Sequence, residues 1–460
     1  MEHIIEPTCS NNYTLKRDSC SCIKNVSPKT RKRCPKGTRR NKKTGACETL
    51  LITIKNTTPG EDRLIAQIIN QNIVDETITK KDNIMTTVPK IQKSLKSFSP
   101  SINKRLVTIK RDIKNSDIFG CGMENYLLPK TTNKHTRWDD EGNVIDIKNK
   151  ISSLKVKVGT KANGEPICVD YTSKKAQKIL LDNLRSAATS FDCSKVITPL
   201  QIVANCWFNT MFVTFFISDK GRKFFRFFRQ LMIEGKQENG VSIAPQELAQ
   251  SFFLLNACIE ASYNQNLKQK SLALALDTNN IIMRISDIFK KISTDKKYQE
   301  WLIYDEEGGN PLRFYQGIIN YLGNKSIKLL EITGADIDDI NYKIKKSNIP
   351  DIVIIGLDDT ESESVKNKQM EFTAAGHKYV LDSVIIRDIM GGHFCCVITC
   401  NGEEYGFDGA SLSRMSKFGW KNLLNKNIKW TFEGSLRWNN TPIKWNFMSG
   451  YQYLFYYRVN

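Results

Sequence analysis

Residues 201–216 read QIVANCWFNTMFVTFF, and this run decides how the rest of the chain is interpreted. Its large apolar residues recur at the spacing that one face of a buried helix brings together. The run predicts a helix that begins near Cys206. A thiol at a helix start faces unpaired backbone N–H groups and the positive end of the helix dipole, which favour the thiolate. Cys206 is therefore a candidate nucleophile, although a cysteine in an apolar run is more often a packing residue.

The composition describes a globular, strongly basic chain. Its 460 residues contain 68 Lys and Arg against 48 Asp and Glu, a formal charge of +20, with 40% hydrophobic residues. This length predicts two to four domains, and the charge predicts attraction to polyanions such as nucleic acid or an acidic protein surface. No run reaches the roughly 18 apolar residues of a membrane span, and the first residues lack the pattern of a signal peptide. The thirteen cysteines are therefore expected to be reduced thiols in a cytosol-like compartment.

Residues 1–50 form a separate basic segment. They contain twelve Lys and Arg against four acids, a net charge of +8, and almost no large apolar residues. Such a segment cannot build a hydrophobic core alone, so it predicts a flexible arm that contacts nucleic acid non-specifically through phosphates. Its cysteine spacings, C-x-C and C-x12-C, match no common zinc pattern; a zinc knuckle is the less favoured alternative.

The remaining chain divides by its periodicity. Residues 51–185 show helical runs, among them 61–76 and 173–189, and are predicted to be a mostly helical region of unknown role. Residues 186–460 begin with apolar helical runs and end with β-branched and aromatic runs bounded by Gly, Asn or Asp. Helices followed by strands predict an α+β domain.

The strand-rich end supplies partners for the thiol. A thiolate nucleophile needs a base, usually histidine, and a third polar group that orients the base. His393 follows Gly391 and Gly392 at the start of a predicted strand, and Asp408 ends the next strand after a turn at "CNGEE". Because the start of one strand lies beside the end of its antiparallel partner, the two side chains are predicted to be neighbours.

Gln201 completes the predicted site. Its amide, five residues before Cys206, is expected to join the Cys206 backbone N–H in an oxyanion hole, and no cofactor or metal is required. His377 is the rival base, but no acid follows it at a matching position. Each residue alone is more often structural; their order within one domain favours chemistry.

The sequences "NCWFN", "GGHF", "YGFD" and "SGYQYLFYYR" resemble motifs of the ubiquitin-specific protease and ubiquitin C-terminal hydrolase branch of papain-like cysteine peptidases. The resemblance implies a papain-like fold in which a helical lobe carries Cys206 and a β lobe carries His393 and Asp408. It places Gln201 at the oxyanion position, where the family has Asn. The chain also lacks the paired CxxC zinc ribbon of many such enzymes.

The whole chain also resembles thiol proteases of mimivirus-type giant DNA viruses, with "KRCPKGTRRNKKTGAC" as the shared basic module. The resemblance implies a location in the virion or the host cytoplasm and a protein substrate, either ubiquitin-like conjugates or viral structural proteins. Cysteine peptidases with the order His–Asp–Gln–Cys, which include poxvirus and adenovirus core proteases and SUMO proteases, are excluded unless the nucleophile is Cys395, Cys396 or Cys400. A non-catalytic basic virion protein that binds nucleic acid is the alternative from another class.

Overall fold

The computed structural model divides into two compact units, Met1–Leu50 and Leu51–Asn460. The residues that the structure describes are 13–16, 21–24, 38–40, 47–49, 51–54, 111–127, 154–189, 191–201, 204–265, 267–293, 302, 308–323, 325–358, 367–437 and 439–459. In the first unit the described backbone forms two antiparallel hairpins, β1 with β2 and β3 with β4, at Tyr13–Lys16, Ser21–Lys24, Thr38–Arg40 and Cys47–Thr49. The predicted helix at 61–76 and the side chains of the basic arm lie outside the described residues, so nucleic-acid binding by the arm stays a prediction.

Nine α-helices of the second unit have both ends in the described part of the chain, and residues 111–115 are also helical. In chain order, α1 to α9 are Lys174–Thr189, Cys206–Phe216, Asp219–Phe224, Arg226–Glu234, Gln246–Tyr263, Lys270–Leu274, Asn279–Ile292, Pro311–Leu322 and Ile340–Lys346. Ser218 caps α3 by accepting a hydrogen bond from the Gly221 backbone N–H.

Eight of the twelve described strands of the second unit form one mixed sheet. Its order is β14-β13-β12-β11-β16-β9-β8, with β10 paired to β11, and only β8 and β9 run parallel. Their ranges, β8 to β14 and then β16, are Leu329–Thr333, Ile352–Leu357, Glu371–Ala374, His377–Arg387, Phe394–Cys400, Glu403–Phe407, Met415–Lys417 and Gln452–Val459. Two small sheets pair β5 with β15 and β6 with β7, at Leu51–Ile54, Lys429–Phe432, Lys155–Thr160 and Pro166–Asp170.

The prediction of a mixed helix and sheet architecture is confirmed. The β-branched and aromatic runs near the end of the chain form β9, β11, β12, β13 and β16, and the helix expected over 173–189 is present. Between residues 154 and 170 the structure adds the β6–β7 hairpin, which the helical runs did not predict.

The helix that carries Cys206 lies inside the protein. All eleven residues of α2 are buried, including the polar residues Asn209, Thr210 and Thr214. It packs against β12 and β11 on one side and α8 on another. Alternate residues of β12 enter two different cores: Cys396 packs with the helices, and Cys395 packs on the opposite face of the sheet with Trp430 and Trp445. The packing of α2 on β12 places the start of the helix near the start of that strand.

The expectation of reduced thiols is wrong for four cysteines. Cys121 is disulfide-bonded to Cys168, and Cys193 to Cys400. The partners lie 47 and 207 residues apart in sequence. The number of cysteines in a chain does not show which distant cysteines lie close together in the fold. No helix in the described part of the chain has the length and hydropathy needed to cross a membrane.

Candidate active site

Cys206 is the first residue of α2 and is 8% exposed. The start of this helix is fixed by buried polar side chains. Asn205 donates from Nδ2 to Thr278 Oγ1 over 3.0 Å, and Thr278 donates to Asn209 Oδ1 over 2.8 Å. Asn209 in turn donates to the Leu200 carbonyl, 3.3 Å away. Because buried polar groups are stable only when hydrogen-bonded, these linked hydrogen bonds hold the start of the helix, and with it the thiol, in one position. In the sequence, this network is indicated only by Asn205 and Asn209, two asparagines four residues apart on either side of the cysteine.

His393 and Asp408 meet across the β12–β13 hairpin. Cys396 pairs with Phe407, so the residue before β12 and the residue after β13 come together at one end of the ribbon. The hairpin turn uses Asn401 and Gly402, both at positive φ, as expected for a tight two-residue turn. His393 Nε2 lies 2.7 Å from Asp408 Oδ1. The neighbour relation predicted from the sequence is present.

Asp408 is fully buried and accepts hydrogen bonds on both oxygens. Oδ1 accepts from the Ala410 backbone N–H at 3.0 Å as well as from His393. Oδ2 accepts from the hydroxyl of Ser435. A carboxylate held by three donors is fixed in direction, and it keeps the proton of the imidazole on Nε2.

The imidazole also interacts with the thiol, because Cys206 contributes to the shifted pKa of His393. Since Asp408 occupies Nε2, Nδ1 is the ring nitrogen left to face the sulfur. Burial alone lowers the pKa of His393, but the charges of Asp408 and of the Cys206 thiolate outweigh burial and raise that pKa well above 6.5. A raised pKa means that the ring holds its second proton more strongly than a free imidazole does. Sulfur, ring and carboxylate therefore form one row, in which a hydrogen bond joins the ring to the carboxylate.

Asp388 shapes the turn that delivers His393, and sequence reasoning missed it. Its Oδ1 accepts from the backbone N–H groups of Gly392 and His393 at 2.7 and 2.6 Å, and Oδ2 accepts from Met390 at 3.1 Å. An ion pair with Arg437 neutralises the buried carboxylate. Asp four residues before a glycine that precedes a histidine is the local pattern that indicates such a turn.

Gln201 lies beside Asp408, the carboxylate that hydrogen-bonds to His393. Its backbone N–H donates to the carbonyl of Gly409, the residue after Asp408, over 3.1 Å. The side chain is partly exposed, and its Oε1 is buried with no hydrogen-bond partner among the described residues. The role of its amide in an oxyanion hole stays a prediction.

The rival residues are placed elsewhere. His377 begins β11, and His393 follows the turn at the opposite end of that strand, so the two are separated by about 30 Å of extended chain. Cys395 and Cys396 are buried, and burial raises the pKa of each thiol. Cys400 is disulfide-bonded. None of these thiols opens a helix.

The described residues offer no metal centre. Within them, no group of three or more His, Cys, Asp or Glu side chains is placed to hold a metal ion. The arrangement of thiol, imidazole and carboxylate can perform nucleophilic attack and proton transfer with its own side chains.

No protein-family model matches the chain, and no curated protein matches it. Similar solved structures include the SAGA DUB module Ubp8/Sgf11/Sus1/Sgf73 bound to monoubiquitin, at 10% identity over 61% of this chain and 74% of that one, with a TM-score of 0.35. The same module bound to ubiquitin aldehyde matches at 11% identity over 82% and 100%, with a TM-score of 0.32. An essential yeast splicing factor matches at 10% identity over 67% and 84%, with a TM-score of 0.31. Likenesses this weak assign neither a fold family nor an activity.

Proposed function

We propose that this chain is a thiol peptidase that hydrolyses peptide or isopeptide bonds. Cys206 is the nucleophile, His393 the general base and acid, and Asp408 the residue that orients the imidazole. The observation that carries the proposal is the row in which His393 hydrogen-bonds to Asp408 through Nε2 and interacts electrostatically with Cys206. A thiol at a helix start, a buried imidazole and a fully buried carboxylate in one row are typical of a catalytic site.

The reaction follows from the row. The Cys206 thiolate attacks the carbonyl carbon, and the electron pair of the C=O bond moves to oxygen. When the C–N bond breaks, His393 gives its Nδ1 proton to the leaving amine, and a thioester remains on sulfur. The neutral imidazole then takes a proton from water, whose hydroxide attacks the thioester and releases the acid and the thiolate.

The developing oxyanion has two donors in this proposal. Cys206 is the first residue of α2, and the first N–H groups of a helix have no partner inside the helix. The amide N–H₂ of Gln201 is the second donor. Loss of one such donor costs about 3–4 kcal/mol in comparable sites.

The substrate class is part of the proposal. The motifs around Cys206 and His393 resemble those of ubiquitin-specific proteases, so we assign a deubiquitinase-like peptidase that takes ubiquitin or ubiquitin-like conjugates. A papain-like arrangement of lobes, a giant-virus origin and a place in the virion or the host cytoplasm belong to the same proposal and rest on the sequence resemblance.

Covalent labelling tests it. Full-length ubiquitin that carries a C-terminal propargyl group is incubated with the protein, and the modified cysteine is mapped by mass spectrometry. We expect a conjugate at Cys206 that is lost in Cys206→Ala and retained in Cys395→Ala, a matched change at a buried thiol. Reaction of Cys206 with iodoacetamide but not with the ubiquitin probe would remove the ubiquitin assignment and leave the peptidase. Reaction with neither would overturn both.

A further inference from the structure

A cavity of about 670 Å³ lies in the second unit, among residues that the proposed reaction does not use. Its walls come from β6, from the segment before the disulfide at Cys121, from α1 and from the loop that precedes α6. The lining residues that matter here are Lys114, Asp117, Lys157, Thr160, Ile179 and Lys268. Cavities of this size are typical of small-molecule sites.

Lys157 is the unusual member of the lining. The residue is 6% exposed, although lysine is almost never buried without a charged partner. Its Nζ donates one hydrogen bond, to the carbonyl of Lys114 at 2.6 Å. An ammonium carries three N–H donors and no acceptor, so two donors remain at the wall of the cavity. A buried cation of this kind is stabilised by an anion.

The acids around the cavity are already engaged. Asp117 pairs with Lys268 at 3.0 Å, and Glu165 on the same hairpin pairs with Lys161 at 3.0 Å. The charged lining residues are Lys114, Lys157, Lys268 and Asp117, so the lining has a net charge of +2. The charge inside the cavity is therefore suited to an anionic ligand.

The wall of the cavity formed by the segment 111–127 and β6 is preformed. The disulfide between Cys121 and Cys168 ties the segment 111–127 to β7. The backbone N–H of Lys157 donates to the Ile118 carbonyl over 2.9 Å, which joins the same segment to β6. A site fixed in this way loses little conformational entropy on binding.

We infer that this cavity is a binding site for a small phosphorylated molecule, with the phosphoryl groups against Lys157 and the organic part against Ile179 and Val158. Lysine binds phosphate as a point charge, and the Thr160 hydroxyl adds a neutral donor at the wall. A single inorganic phosphate is small for this volume, so two or more phosphoryl groups or an attached organic group are expected. The inference does not depend on the peptidase proposal.

Calorimetric titration of the full chain with pyrophosphate, at low ionic strength, tests the inference. We expect binding that is weakened about tenfold or more by Lys157→Met, since one close charged contact is lost. Lys155→Met is the matched control, because Lys155 is exposed on the same strand and lies outside the lining; it should leave the affinity unchanged.

If Lys157→Met fails to fold, Lys114→Met replaces it, because the Lys114 side chain is exposed and only its backbone carbonyl accepts a hydrogen bond from Lys157. That change should weaken pyrophosphate binding by about threefold or more. The inference is overturned if pyrophosphate does not bind at millimolar concentration. It is also overturned if Lys155→Met weakens binding as much as the cavity variants, since that result would mean general attraction to a basic chain.

Discussion

Asp408 supplies a negative charge and hydrogen-bond acceptor oxygens, and two substitutions of this residue separate these contributions. In Asp408→Asn the amide oxygen can still accept from His393 and Ala410, and the new N–H₂ can donate to the hydroxyl of Ser435. Only the charge is lost. A hydrogen bond to a charged group is worth about 1.5–3 kcal/mol and a neutral one about 0.5–1.5 kcal/mol, so the loss is about 1–1.5 kcal/mol, or about tenfold in kcat/KM.

In Asp408→Ala three donors, His393 Nε2–H, the Ala410 N–H and the Ser435 hydroxyl, lose their acceptor. Each costs about 1–3 kcal/mol, and the ring is no longer oriented, so we expect a fall of about a hundredfold or more. The assay is hydrolysis of a fluorogenic ubiquitin amide by both variants, with denaturant unfolding to separate activity from stability. Equal losses in the two variants, or wild-type activity in Asp408→Ala, would refute the assigned role.

Three further predictions concern the surroundings of the site and the sheet. Asp388→Ala removes the acceptor of three backbone N–H groups in a turn that water can reach, so the free energy of unfolding should fall by about 1–3 kcal/mol, measured in urea; an unchanged midpoint would contradict this. In Cys206→Ser the thiolate charge is lost, so the NMR titration midpoint of His393 should move down; an unmoved midpoint would show that the sulfur does not face the ring. Burial raises the pKa of Asp382 to about 6, above an unfolded value of 3.8, so its contribution to stability is present below pH 3.8 and is lost as pH rises through 6. Relative to Asp382→Asn, the wild type should lose about 1 kcal/mol of unfolding free energy between about pH 5 and 7, and parallel profiles would disprove the shift.

The pH dependence of the site has a defined sign. The pKa of folded His393 lies well above its ordinary 6.5. The imidazolium therefore stabilises the folded state fully below about pH 6.5, and this contribution is lost as pH rises through the folded pKa. Activity should decline on the same alkaline limb, because the leaving amine then receives no proton.

The parts of the fold that local sequence determines were predictable. The β12–β13 hairpin follows from two β-branched runs around Asn401 and Gly402, and it brings His393 to Asp408 by register alone. The helix start at Cys206 follows from the apolar run and its boundary. Both features depend on neighbours within about fifteen residues.

The parts that depend on distant residues were not predictable. Thr278, which links Asn205 to Asn209, lies about seventy residues from either, and a polar residue among apolar ones gives no sign of its partner. The disulfide of Cys193 with Cys400 joins residues 207 positions apart in sequence. Short strands such as Met415–Lys417 carry too few residues for a period-two pattern.

The central claim is that sulfur, imidazole and carboxylate act as one proton-handling unit, and the rate of alkylation by iodoacetamide at mildly acidic pH tests it most directly. The account predicts that Cys206 reacts while buried Cys258, Cys395 and Cys396 do not, and that His393→Gln slows the reaction by about tenfold or more. Alkylation of Cys206 at the wild-type rate in His393→Gln, or at no greater rate than Cys258, would contradict the account.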